Sequence, residues 1–124
     1  VEGVEFDLRL GPFDAVVIAD RDELRRTFIN LIRNGIQAMQ ERGRMTIATI
    51  RRDHLVEIRI SDTGHGIPAD MLDKVFQPNF STRTEGMGLG LAIAKKAIED
   101  LNGTIEVEAS SSAGTTILIR LTVQ

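Results

Sequence analysis

Six short stretches of the chain have the apolar pattern of β-strands, and the second of them, residues 15–19, is an unbroken apolar run. These strands cover residues 4–10, 15–19, 44–51, 54–61, 105–109 and 117–123. In the fourth, the apolar residues Val56, Ile58 and Ile60 alternate with charged residues. One face of that strand is therefore predicted to be buried and the other to be exposed to water.

The turns between these strands are also visible in the sequence. Arg52-Asp53 is the predicted turn between the third and fourth strands, and the loop from Ser110 to Gly114 is predicted to join the last two. In the fifth strand, Ile105, Val107 and Ala109 alternate with two glutamates. The last strand alternates in the same way, so both predict a sheet with one buried face.

Apolar residues recur at helical spacing in the stretches between the strands. The first predicted helix begins at a cap on Asp20 or Asp22 and runs to about Arg42, with Gly43 as its stop. The second covers residues 69–75 and the third covers residues 89–101. Between the last two helices, the segment from Gln77 to Gly88 is polar and has no period, which predicts a long loop.

The order of elements, β-β-α-β-β-α-α-β-β, favours an α+β fold. We predict a two-layer α/β sandwich in which one mixed, mostly antiparallel sheet carries helices on a single face. A length of 124 residues fits one domain, residues 1–124. The chain begins at Val1 instead of Met, so we expect it to be part of a longer protein.

Composition excludes several classes of function. The chain has no Cys, which excludes a disulfide framework, a thiolate zinc site and a cysteine nucleophile. Its net charge of -3 and its lack of Trp and Tyr argue against a nucleic-acid surface. Its longest apolar runs are too short to cross a bilayer. We therefore predict no nucleic-acid binding and no membrane contact by this domain.

The first candidate for chemistry is Asp62, which follows a strand and shares the parity of its buried residues. A buried carboxylate needs hydrogen-bond donors. One interpretation is a loop cap that accepts from the amides of Thr63 and Gly64. The other is an acceptor for an exocyclic amine on a ligand, with Gly64 and Gly66 letting a flat ring approach the backbone.

The second candidate is the glycine-rich segment Gly86-Met87-Gly88-Leu89-Gly90-Leu91. Its glycines run directly into a predicted helix, and amide groups at a helix N-terminus favour phosphate. It is not a Walker loop, because no Lys-Ser/Thr pair follows, and its spacing does not match a dinucleotide fingerprint. The alternative interpretation is a flexible hinge.

The third candidate is the pair Asn30 and Asn34, which lie on one side of the first predicted helix. Asn is a poor residue for a helix interior, so two at this spacing need an explanation. They are either surface or packing amides, or they include a neutral oxygen ligand for a magnesium ion that otherwise keeps waters and substrate phosphates.

Three weaker signals lie elsewhere in the chain. Phe76 and Phe80 bracket Pro78 and are predicted to anchor the long loop. Within that loop, the segment Ser81-Thr82-Arg83 is suited to contact a terminal phosphate, Arg83 by its charge. Thr115 shares the parity of the buried residues in the last strand, so its hydroxyl is predicted to point into the same pocket as Asp62.

Together these motifs resemble the catalytic and ATP-binding domain of bacterial sensor histidine kinases. The resemblance is carried, in order, by Asn30-Leu-Ile-Arg-Asn34-Gly-Ile-Gln-Ala, Asp62-x-Gly-x-Gly66, Phe76 with Phe80-Ser-Thr-Arg83, and Gly86-x-Gly-x-Gly-Leu. They match the N box, the first glycine box, the F box and the second glycine box of that family. The match covers nearly the whole chain.

The resemblance implies the Bergerat ATP-binding fold, shared with DNA gyrase, the mismatch-repair ATPases and a heat-shock chaperone. It implies that Asp62 accepts from the adenine amino group, that Gly66 lines the base and that Thr115 helps to fix it. Asn34 would bind Mg²⁺ with Asn30 beside it. The loop from Gln77 to Gly88 would be the ATP lid.

The implied site can be given residue by residue. The predicted ATP-binding residues are Asn34, Asp62, Gly64, Gly66, Ile67, Phe76, Thr82, Arg83, Gly86, Met87, Gly88, Leu89, Gly90, Leu91 and Thr115. The predicted catalytic residues are Asn30, Asn34 and Arg83, and the predicted metal ligand is Asn34.

Asn30 distinguishes two branches of this fold. The ATP-hydrolysing relatives carry a Glu there as general base for water, whereas an amide cannot take a proton, which favours a kinase. The chain departs from the family at Gly35, where Ala is usual, at Gln37, where many members carry Lys, and at Asn79, where an aromatic residue is common. Arg83 replaces a common Lys, and the segment from Pro78 to Arg83 is similar to nitrogen-regulation-type sensor kinases.

The implied function is the binding of Mg-ATP and transfer of its γ-phosphate to a histidine on a separate dimerisation domain, which this chain lacks. The implied partners are that domain and a response regulator, and the implied location is the cytoplasm. Two alternatives remain. One is a nucleotide-sensing module or pseudokinase of the same fold, and the other is an anti-sigma-type serine kinase.

Overall fold

The computed structural model describes residues 3–13, 17, 19–40, 42–77 and 87–123, and for residues 87–90 it describes the backbone alone. The elements are β1 (Val4–Arg9), α1 (Arg21–Ala38), β2 (Gly43–Arg52), β3 (Leu55–Asp62), a short 3-10 helix (Ala69–Met71), α2 (Met87–Asp100), β4 (Thr104–Ser111) and β5 (Gly114–Thr122).

The strands form one five-stranded sheet in the order β1-β2-β3-β5-β4. β1 is parallel to β2, and every other neighbouring pair is antiparallel. α1 packs on β2 and β3, while α2 packs on α1 and β4. The buried core between the helices and the sheet includes Met45, Ile98 and Ile119. The predicted α+β sandwich with a mixed, mostly antiparallel sheet is therefore confirmed.

α1 begins where the sequence predicts and ends earlier. Asp20 is the N-cap, and its carboxylate accepts from the amides of Asp22 and Glu23 at 3.0 and 3.1 Å. The helix ends at Ala38, so the prediction that it reaches Arg42 is wrong. Gln40 takes a φ of 56°, outside the right-handed helical region, and Gly43 already belongs to β2, where its amide donates to the Gly3 carbonyl at 2.9 Å.

Other elements also differ from the sequence prediction. Of the predicted strand at 15–19, only Val17 and Ala19 are described, and neither lies in a strand; the rest of it lies outside the described residues. The predicted helix at 69–75 is a 3-10 helix of three residues followed by turns. The turn between β2 and β3 lies at Asp53-His54, one residue later than predicted, with Asp53 at a φ of 54°.

β4 contains a β-bulge that the sequence pattern does not reveal. Val107 pairs with Ile117, but Ala109 pairs with Thr116, so one extra residue is accommodated in β4. The bulge reverses the alternation beyond it. Ala109 is exposed, whereas Ser110 is half-buried and opposes the buried Thr115.

The outer face of the sheet, opposite the helices, carries a network of ion pairs around a buried glutamate. Glu57 is 7% exposed and accepts from Arg52, Arg120 and Arg59 at 3.0, 3.1 and 3.3 Å. On the same face Leu118 is only 1% exposed, so this side of the sheet is not uniformly wet as the alternation predicts.

Candidate functional site

The site is centred on Asp62, the last residue of β3. Its Oδ1 accepts from the amide of Gly64 at 2.8 Å, and the carboxylate also accepts from the amide of Thr115. Burial raises the pKa of this carboxyl, and the two backbone donors only partly offset that effect. A carboxylate offers about four lone-pair positions, so these two donors leave it capacity for a ligand.

Asp62 faces α1, as its parity predicts. A β-carbon built on Gly35 would lie 3.3 Å from the Asp62 β-carbon and 3.4 Å from its Oδ2. The carboxylate is therefore next to the middle of α1, one residue from Asn34. The loop-cap and ligand-acceptor interpretations are compatible, because the Gly64 amide uses one part of the carboxylate only.

The turn after Asp62 is held by close backbone packing. A β-carbon on Gly64 would approach the carbonyl of Ala38 to 2.6 Å, and one on Gly66 would collide with the carbonyl of Ser111. Gly66 also has a φ of 82°, where side chains are strained. Both glycines thus have packing reasons in the fold, and their contact with a base stays a prediction.

β5 supplies the side of the site opposite α1. Thr115 is 7% exposed and pairs with Asp62 across the two strands. Its hydroxyl lies 3.1 Å from that of Ser110, which in turn accepts from the amide of Ile67 at 2.8 Å. The hydroxyl pair therefore joins β5 to the turn that follows Asp62.

The side chain of Asn34 has a buried polar atom, Nδ2, without a hydrogen-bond partner among the described residues, as expected of a residue that binds a ligand. Buried amides are nearly always bonded, so this one is suited to a group from outside the chain. Its oxygen fits one ligand of a magnesium ion that keeps waters and phosphates. No cluster of three His, Cys, Asp or Glu residues with metal-binding geometry occurs in the described part of the chain.

Apolar residues extend the site toward α2. Ile67 and Phe76 pack against the core, and Leu91 on α2 is 6% exposed. The ammonium of Lys95 lies 5.7 Å from the centre of the Phe76 ring, within the range of a cation–π contact. This contact attaches the residues just before the predicted lid to α2.

The structure thus places together Asp62, Gly64, Gly66, Ile67 and Thr115. Thr82, Arg83 and Gly86 lie outside the described residues, as do Pro78, Asn79 and Phe80. Met87, Gly88, Leu89 and Gly90 form the first turn of α2, which begins two residues earlier than predicted.

Three residues of this neighbourhood escaped the sequence reasoning. The sequence pattern places Ser110 in a loop and Gly114 at the end of that loop, and at Gly35 it shows only a departure from the family's usual Ala. A β-carbon on Gly114, which has a φ of 139°, would collide with the Asp62 carbonyl. The glycine pattern was a usable signal for Gly114, but the bulge that orients Ser110 leaves none.

These features lie together around Asp62 on the α+β sandwich. A family profile described as "Histidine kinase-, DNA gyrase B-, and HSP90-like ATPase" matches residues 19–124. The chain belongs to this family, and it corresponds to the catalytic domain of a sensor histidine kinase.

Curated relatives agree with this placement. The sensor histidine kinase ZraS of Escherichia coli is 37% identical over 121 residues, which are 96% of this chain and 26% of ZraS. The sensor protein FixL of Bradyrhizobium diazoefficiens is 34% identical over 123 residues, 97% of this chain and 24% of FixL. The chain therefore spans about a quarter of the length of these relatives.

Solved structures share the fold. The catalytic domain of histidine kinase ThkA superposes with a TM-score of 0.85 at 32% identity, covering 97% of this chain and 79% of that one. The mycobacterial sensor histidine kinase MprB gives a TM-score of 0.85 at 30% identity, covering 98% and 85%. Neither α1 nor the described part of α2 is long and apolar enough to cross a membrane.

Proposed function

We propose that this domain binds Mg-ATP and donates the γ-phosphate to a histidine on a separate dimerisation domain. The observation that carries the proposal is the half-buried Asp62 carboxylate, which two backbone amides hold and which faces α1 at Gly35, the residue after Asn34. A half-buried acceptor on β3 and a buried amide nitrogen on the facing helix, unpartnered among the described residues, fit a ligand that brings both an amine and a metal-bound phosphate.

In this proposal the adenine amino group donates to Asp62. The ionised carboxylate is an acceptor only, so it excludes a base that presents a carbonyl at the same position. Ile67, Phe76 and Leu91 provide apolar surface for the ring. Recognition of the base therefore depends on the turn after β3 and not on the lid.

The phosphates lie toward α1 and the start of α2. Asn34 would offer its oxygen to Mg²⁺, which when bound neutralises charge on the β- and γ-phosphates. Amides of Gly86, Gly88 and Gly90 and the side chains of Thr82 and Arg83 would complete the phosphate contacts. Asn30, one turn before Asn34, has an amide that cannot deprotonate water, so ATP is held for transfer and not for hydrolysis.

The phosphoacceptor belongs to another domain. His54 lies in the turn after β2 and His65 in the turn after β3, so neither is on a helix. We place the acceptor on the dimerisation domain of the full protein, with a response regulator as the next acceptor. Since the reaction consumes ATP, we place this domain in the cytoplasm.

The proposal is tested by incubating the chain with γ-labelled ATP, alone and with the dimerisation domain added in trans. We expect acid-labile, alkali-stable label on the dimerisation domain and none on this chain. The Asp62→Asn variant should abolish transfer. Stable label on the isolated chain, or binding of ATP without transfer, would contradict the proposal; the second result would indicate a nucleotide-sensing module.

A further inference from the structure

The bulge in β4 gives Ser110 a position that strict alternation would deny it. Without the extra residue, Ala109 would oppose the pocket-facing position of β5 and Ser110 would point to the outer face. With it, Ser110 opposes Thr115, and their hydroxyl oxygens are 3.1 Å apart. Bulges next to functional sites often redirect one side chain in this way.

The hydrogen bonds of Ser110 have a direction. The Ile67 amide can only donate, so the Ser110 oxygen accepts this bond of 2.8 Å. The Ser110 hydroxyl hydrogen then remains available, and the Thr115 oxygen is within reach of it. If Ser110 donates to Thr115, the Thr115 hydrogen is free to be donated elsewhere.

Thr115 is also the cross-strand neighbour of Asp62. Directly opposed side chains on one face of an antiparallel pair have β-carbons about 5 Å apart. The pair therefore presents a carboxylate acceptor beside a hydroxyl donor. On adenine, the amino group is a donor, and the ring nitrogen next to it is an acceptor, which is the complementary pattern.

We propose that Ser110 is a positioning residue of the adenine pocket. By donating to Thr115, it fixes the Thr115 hydroxyl as a donor toward the adenine ring nitrogen that adjoins the amino group. By accepting from Ile67, it holds the turn at the distance from β5 that this contact requires. This inference rests on the proposed binding of ATP and concerns how the base is read.

The test compares Mg-ATP with its 1-deaza analogue, in which that ring nitrogen is replaced by C–H. Dissociation constants are measured by titration calorimetry for the wild-type chain, Ser110→Ala, Thr115→Val and the double variant. Ser110→Thr keeps the hydroxyl and serves as the conservative rescue. Ser61→Ala is the matched control, because the Ser61 hydroxyl bonds that of Thr116 at 2.8 Å between β3 and β5 on the outer face.

We expect the wild-type chain to prefer ATP over the analogue by about tenfold, the effect of one buried hydrogen bond. Ser110→Ala should reduce this preference to about that of Thr115→Val, and the double variant should lose no more. Ser110→Thr and Ser61→Ala should keep the wild-type preference. A purely structural role of Ser110 would weaken binding of both nucleotides equally.

The outcomes separate the two proposals. A wild-type chain that binds neither nucleotide contradicts the proposed function. If the wild-type chain binds ATP, two results would overturn the inference alone. One is that the wild-type chain does not discriminate against the analogue, and the other is that Ser110→Ala retains the wild-type preference. Urea unfolding of every variant confirms that the comparison is made between folded proteins.

Discussion

The terminal methyl group of Met45 occupies the space that a β-carbon on residue 35 would need. Met45 lies on β2, is fully buried and packs against the helix at the point where α1 carries Gly35. The sequence shows Gly35 only as a departure from the alanine that is usual in the family. The structure gives it a different reason, because a methionine from the sheet fills the place of the missing methyl group.

We expect Gly35→Ala to lower the free energy of unfolding by about 1 kcal/mol, because overpacking costs about 1–3 kcal/mol while the gain in helix propensity is about 1 kcal/mol. In a Met45→Val background, the side chain of residue 45 is too short to collide with a β-carbon on residue 35. The same Gly35→Ala change should then stabilise the domain by up to about 1 kcal/mol.

Urea unfolding of the four proteins measures this coupling as a double-mutant cycle. The Met45→Val single variant is the reference for the cavity that the shorter side chain leaves. Strictly additive effects would show that the methyl group of Met45 and residue 35 do not compete for space. Asp62 is the other neighbour of Gly35. Any of these variants that displaces Asp62 should also bind ATP less tightly.

Asp62→Asn separates the role of this side chain in binding from its role in folding. The pKa of Asp62 is raised by burial, so the folded chain holds this proton more tightly than the unfolded chain does. Its contribution to stability therefore falls as pH rises through the raised pKa. Because the substituted amide side chain keeps an oxygen for the Gly64 amide and has no charge to bury, the variant should be at least as stable at pH 7.

The measurement is urea unfolding of both proteins at pH 7 and at successively lower pH, with ATP binding measured at pH 7. The advantage of the variant should shrink as the pH falls, while its affinity for ATP at pH 7 should be at least about tenfold lower. A variant that unfolds more easily at pH 7 would mean that the ionised carboxylate stabilises the fold.

The sheet and the position of Asp62 were predictable because both depend on local patterns. Alternation along Val56, Ile58 and Ile60 predicts which face of β3 is buried, and Asp62, two residues after Ile60, lies on the same face. The end of α1 was not predictable from its apolar period. The helix ends where Gln40 takes a φ of 56°, and Gly43 then pairs with Gly3, 40 positions away along the chain.

The same limit explains Ser110 and Leu118. A bulge changes which side chains face the site without changing the composition of the strand, so alternation predicts the wrong face for Ala109 and leaves Ser110 in a loop. Leu118 lies on the outer face and is nevertheless buried, because Arg59 and Glu106 flank it across the neighbouring strands. Long charged side chains cover apolar surface in a way that periodicity does not encode.

Asn34→Ala should weaken Mg-ATP binding without weakening the fold. The buried Nδ2 has no partner among the described residues, and an unsatisfied buried donor costs about 1–3 kcal/mol. Ala is also the better helix former. We therefore expect the free energy of unfolding to rise by about 1 kcal/mol, while ATP affinity in Mg²⁺ falls to the value that the wild-type chain shows in EDTA.

Asn30→Ala is the matched control for stability, since it makes the same change on the same helix at a half-exposed position. The free energy of unfolding of Asn30→Ala should rise only by the difference in helix propensity, about 0.5 kcal/mol. An equal rise in the free energy of unfolding for both variants would indicate that the unpartnered Asn34 amide does not destabilise the fold. Unchanged Mg-dependence in Asn34→Ala would remove Asn34 from the metal site.

Glu57→Gln tests the ion-pair network on the outer face. Burial raises the pKa of Glu57, but the hydrogen bonds from Arg120, Arg52 and Arg59 outweigh it and hold the pKa below its ordinary value of 4.5. A depressed carboxyl pKa contributes stability that is present above 4.5 and is lost as the pH falls through the folded-state value. We expect Glu57→Gln to lower the free energy of unfolding at pH 7 by about 1–2 kcal/mol.

Because the variant has no proton to gain at residue 57, its stability should fall less than that of the wild-type chain on acidification below pH 4.5. Glu106→Gln is the control: Glu106 bonds Arg120 at 2.9 Å from a side chain that is 53% exposed, so its loss should cost less than about 0.5 kcal/mol. ATP binding should be unchanged in both, since the network lies on the face of the sheet opposite Asp62. Parallel pH profiles for the wild-type chain and Glu57→Gln would show that the three arginines do not depress the pKa of this carboxyl.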